Sequence, residues 1–157
     1  MRDQIARSLD WGEAHVDFDR AVAGLAPELR GRRVNGLPHS AWEILEHLRI
    51  AQHDILDFAR NPKYAEMKWP DDYWPDTPEP PSAKAWDASV AQFRRDRDAV
   101  KTLATDPAID LAARIPHADK ATQTYLRAVL LVIDHNAYHV GELVLLRRLL
   151  GAWPPKK

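Results

Sequence analysis

The chain has 157 residues, 45% of them apolar and 29% charged, with a formal net charge of -1 and no cysteine. This length and balance suit one globular domain with a substantial core, and the near-zero charge offers no electrostatic footprint for nucleic acid or an acidic membrane surface. Without cysteine there can be no disulfide, thiolate metal site or cysteine nucleophile, which fits a reducing cytoplasm.

Residues 1–10 are charged and lack the continuous apolar core of a signal peptide. The most hydrophobic stretch, 128–133, is much too short to span a bilayer. A soluble, cytoplasmic protein with no membrane or nucleic-acid partner is therefore expected. The first helix is predicted from Arg2 to about Leu29, because Trp11, Phe18, Val22, Leu25 and Leu29 recur at helical spacing. His15 falls on the edge of that stripe and is expected to face the interior. Pro27, Gly31, Gly36 and Pro38 then end the helix and build a loop.

Ser40-Ala-Trp-Glu43 has the pattern of a capping box that opens a second helix, running to about Arg60. Its apolar stripe is Ile44, Leu48, Ala51, Ile55 and Phe58. His47 borders this stripe, whereas His53 points ~120° away on the polar side. Only His47 is placed to enter a bundle interior. Glu43 either completes the capping box or orients His47. Residues 61–81 hold six of the twelve prolines, together with Trp69, Tyr73, Trp74 and five acids. A connection of about 20 residues is too long for a simple turn and reads as a substrate lid or as a cover folded over the bundle.

Ser82 can cap a third helix, reaching about Thr105 through Trp86, Val90, Phe93, Val100 and Leu103. Arg94-Arg-Asp-Arg-Asp98 is mixed in sign and reads as a solvated face. Residues 106–121 form a loop with a short extended piece around 114–117. The fourth helix, 122–150, is apolar on nearly every side, as expected of a central helix or one facing both core and partner subunit. Gly151 and Pro154-Pro155 stop it. The short basic clusters Arg30, Arg32, Arg33 and Arg147, Arg148 read as solvated helix ends. The sum is an all-α, single-domain, up-and-down-like four-helix bundle.

The fourth helix carries Asp134-His-Asn-Ala-Tyr-His-Val-Gly-Glu-Leu143. At ~100° per residue, His135 and His139 stack on one face ~40° apart, and Glu142 lies within ~20° of His135. Two imidazoles reaching one point suit a divalent transition metal, although such a pair also occurs as hydrogen-bonded core histidines. Asn136 stands where the zinc-protease HExxH motif needs glutamate, so a peptidase is disfavoured. His47 is the candidate third ligand. Glu142 and Tyr138, within ~60° of His135, are candidates for base, proton donor or anchor of a ligand. His15, and His117 in the loop before the helix, are candidates for lining the pocket.

Two stretches, Leu37-Pro-His-Ser-Ala-Trp-Glu-Ile-Leu-Glu-His47-Leu48 and Gln123-Thr-Tyr-Leu with Asp134-His135-Asn-Ala-Tyr-His139-Val-Gly-Glu-Leu, resemble the DinB family. That superfamily includes YfiT-like metal-dependent hydrolases and the bacillithiol and mycothiol transferases. The resemblance implies a four-helix bundle, often dimeric, with a divalent metal, usually zinc or nickel, on His47, His135 and His139. Three neutral imidazoles leave coordination positions open, the arrangement of a catalytic site, and such a site lowers the pKa of bound water or thiol. With no cysteine in the chain, a transferred thiol must come from a low-molecular-weight cosubstrate. The expected function is metal-dependent thiol transfer or hydrolysis on a small electrophilic substrate. The alternative is a non-catalytic stress-response or binding protein with a structural metal. No Gly-rich phosphate loop or GxSxG elbow points elsewhere.

Overall fold

The computed structural model describes residues 1–10 and 12–155. Its helices are α1 (Arg2–Ser8), α2 (Phe18–Val22), α3 (Ala41–Arg60), α4 (Ala83–Thr105) and α5 (Tyr125–Leu149). Among the described residues there is no strand, only an isolated antiparallel bridge between Arg114, in the loop expected to hold an extended piece, and Thr124, in the segment expected to open the fourth helix. Helices α3 and α4 sit where their caps predict, whereas α5 starts at Tyr125 and not at Thr122, because the Thr124 side chain caps it. Ser40 and Glu43 form a full capping box on α3, Ser82 accepts from the Ala85 amide, and Thr124 accepts from the Arg127 amide. Gly151, at φ 69°, takes the left-handed conformation that closes α5.

The single long first helix is not found. Two short helices, α1 and α2, replace it, and Trp11 of the predicted stripe lies outside the described residues. The reason lies on α4. Arg97 contacts Asp10 (2.9 Å) and Asp19 (3.1 Å) together. Nine residues along a straight helix would separate those carboxylates by about 13.5 Å and put them on opposite faces. The chain must fold back for both to reach one guanidinium. Arg94-Arg-Asp-Arg-Asp98 is accordingly a solvated face only in part: Arg94, Arg95 and Asp98 are exposed, whereas Asp96 and Arg97 are buried.

Helix α3 packs against α4 and α5, α1 lies on α4, and α2 on α5. The core divides in two along the bundle. One cluster gathers Phe18, Leu45, Leu48, Phe93 and Leu143, and the other gathers Leu56, Leu103, Ile115 and Val129. Between them Gln52 donates to the Phe93 carbonyl (2.8 Å) and accepts from Asn136 (2.9 Å). Asn136 of this polar layer directly follows His135 on α5. By length and composition α5 could cross a membrane, but it packs against three other helices as a central bundle helix does.

Arg147, expected at a solvated helix end, is 0% exposed. It donates to the Ala21 (2.5 Å) and Ala23 (2.8 Å) carbonyls and to the Ala152 carbonyl (3.0 Å). A five-residue helix leaves most of its carbonyls without intrahelical partners, and Arg147 supplies them for the end of α2. The proline-rich segment 61–81 is pinned back on the start of α3. Ser40 donates to the Pro78 carbonyl, and Gly31 is crossed so closely that a Cβ there would meet Glu79 Cα at 2.8 Å.

Candidate metal centre

His47 comes from the second turn of α3, and His135 and His139 from successive turns of α5. One ring nitrogen of each lies within 4.8 Å of the others. His47 Nε2 faces His135 Nε2 at 3.0 Å. His47 Nδ1 donates to the Tyr73 carbonyl (2.9 Å), and His139 Nδ1 donates to Glu142 (2.8 Å). A carbonyl and a carboxylate only accept, so both rings carry their proton on Nδ1 and turn the Nε2 lone pair away from it. His135 Nδ1 is buried without a partner among the described residues. Burial, followed by the neighbouring His139 and His47, pulls the His135 pKa down to about 4. Burial also lowers that of His47. Rings kept neutral in this way are the form that ligates a metal, and the donor set fits a divalent transition ion.

The segment 61–81 completes the wall. Trp74 is stacked between two imidazoles, His47 at 3.9 Å with an interplanar angle of 1° and His39 at 3.8 Å. Tyr73 supplies the carbonyl to His47 while its hydroxyl donates to Asp54 (2.7 Å). On the outer side Tyr138 is 73% exposed, with its ring edge-on to His139 at 4.9 Å.

Glu142 bridges His139 and His39, whose Nδ1 lies 3.6 Å from its second oxygen. The hydrogen bond from His139 outweighs burial and holds the Glu142 carboxyl below the usual range. Glu43 does not orient His47. It completes the capping box and pairs with Arg33, while the partner of His47 is the Tyr73 carbonyl. His15 does not face the interior: with the first helix broken, its ring turns to the adjacent Val16 carbonyl (2.8 Å) and is exposed. His117 lies apart from the triad, edge-on to Phe58 at 5.4 Å.

Residues 11–143 match the DinB superfamily. The chain belongs to it. No curated protein and no solved structure matches the chain. The match covers all of α3 and α5 of this DinB-superfamily protein as far as residue 143, so it includes all three histidines and Glu142. His39 and Trp74 were missed by the sequence reading because neither is helical, so periodicity says nothing about where they point. The available signals were the position of His39 beside the Ser40 cap and the density of aromatics in 61–81.

Proposed function

We propose that the protein is a metal-dependent enzyme of the DinB type, in which His47, His135 and His139 hold a zinc or nickel ion. It would promote attack of a low-molecular-weight thiol, or of water, on a small electrophilic substrate. The observation that carries this reading is the convergence of three imidazoles, with two Nε2 atoms 3.0 Å apart. A divalent ion bound there supplies Lewis acidity, lowering the pKa of a thiol or water near neutral pH. The chain's own residues do the rest. The Tyr73 carbonyl and Glu142 orient two of the rings, and Trp74 shields His47 from water.

The test is metal analysis followed by thiol conjugation to an activated aryl halide, with and without chelator. We expect about one ion per chain and conjugation that is lost on chelation and restored by zinc or nickel. A chain that takes up neither ion would sink the proposal. Unfolding on chelation with no turnover at any metal load would favour the non-catalytic reading, a metal that clips α3 to α5.

The setting we propose is a cytoplasmic homodimer formed through α5. Leu131, Tyr138, Leu145 and Leu149 are exposed on that helix. They recur at intervals of seven, seven and four residues, the seam of a paired helix. A Cβ at Gly141, on the same stripe, would meet nothing within 4 Å. Leu145→Glu is expected to turn a dimer into a monomer by light scattering with metal content unchanged; an unaltered mass would exclude this interface.

A further inference from the structure

Next to the triad, α3, α5 and the two long loops enclose a cavity of about 640 Å³, within the size range of small-molecule and short-peptide sites. It lies along the same groove. Asp54 is about two turns beyond His47 on α3, and Leu131 about one turn before His135 on α5. Five charged side chains line it: Asp54, Glu66, Asp119, Lys120 and Arg127. Among the described residues, none of the five takes part in an ion pair, although Asp10, Asp19, Glu43, Glu46 and Asp71 all do.

Asp54 is the informative one. It is 9% exposed and accepts one hydrogen bond on each oxygen, from Tyr64 (2.8 Å) and Tyr73 (2.7 Å). Both partners are neutral hydroxyls, and no cation pairs with Asp54 among the described residues, so the cavity wall holds a buried carboxyl group that a cation would match. The opposite sign is offered from the entry to α5 by Lys120 and Arg127. The wall also holds His117 Nε2, buried and without a partner among the described residues.

We propose that this cavity binds a zwitterionic, peptide-sized thiol cosubstrate, its primary ammonium against Asp54 and its carboxylate against Lys120 and Arg127. The assignment rests on the reading of the triad as the place where that thiol reacts. Tyr73 joins the two, since its hydroxyl touches Asp54 and its carbonyl holds His47.

Calorimetric titration of the zinc-loaded protein with glutathione, N-acetylglutathione and S-methylglutathione tests it. Glutathione is expected to bind at least about tenfold more tightly than the N-acetyl form, the worth of a hydrogen bond to a charged group. Asp54→Asn should erase that preference, and the double variant K120A/R127A should weaken both ligands. The comparison of probes on the unaltered chain needs no variant to fold. Equal affinity for the parent and N-acetyl forms, or no binding of either at millimolar concentration, overturns the inference. If S-methylation costs nothing while N-acetylation does, the cavity assignment stands and the thiol reading of the triad falls.

Discussion

Two stretches of α5 bury polar side chains in an otherwise apolar helix, and they do so in opposite ways. At its C-terminal end Arg147 is fully enclosed and its guanidinium donates to three backbone carbonyls, those of Ala21, Ala23 and Ala152. Three turns earlier, His135 and His139 meet His47 with their outer nitrogens tied to Tyr73 and Glu142, or left bare, and their inner ones turned on each other. A buried polar group with all its partners in the chain is architecture. Buried groups whose free lone pairs converge are waiting on something from outside. The difference separates the structural end of the helix from its candidate chemical centre, although both look alike as charged or polar letters in a greasy run.

Breaking the architectural end should have the largest effect on stability. Arg147→Met strands the Ala21, Ala23 and Ala152 carbonyls and frees α2, and is expected to cost about 3–5 kcal/mol in chemical denaturation. Zinc uptake by the fraction that still folds should be unchanged. Destabilisation below 1 kcal/mol (about the worth of one ordinary hydrogen bond) would show that Arg147 does not organise α2.

The chemical end should respond the other way round. His139→Ala is expected to abolish zinc retention through gel filtration while the metal-free protein keeps its helical circular dichroism and melts close to the metal-free parent. A metal-free variant that fails to fold would place His139 with Arg147 as a structural residue. The finest distinction is carried by Glu142→Gln, which keeps the size but removes the charge that holds His139. Zinc affinity should fall about 10–100-fold, as is usual for the group behind a ligating histidine. An unchanged affinity would mean that Glu142 serves His39 rather than His139.

How much of this is readable from letters depends on how far apart in the chain the deciding contacts lie. The boundaries of α3, α4 and α5 are written in Ser40, Ser82, Thr124 and Gly151, whose side chain or φ acts within a few residues. The stacking of His135 over His139 follows from helical geometry in the same way. The stripe from Trp11 to Leu29 is equally periodic and misleads, because Asp17 caps a new helix inside it by accepting from the Arg20 amide and Arg97 grips both Asp10 and Asp19. Glu43 could be assigned only when its oxygens were found on Ser40 and Arg33.

Amino-acid order alone determined a helical bundle and the stacking of His135 over His139, because helix periodicity and capping are short-range properties of the backbone, while the resemblance to the DinB family pointed to His47 as their partner. Folding in three dimensions decided that a carbonyl at residue 73 holds His47, that Trp74 slots between two histidines, that His15 turns outward, and that Arg147 goes inside. Those outcomes rest on backbone carbonyls and ring faces contributed by distant segments. Every residue carries a carbonyl, so no letter announces which one a buried side chain will find.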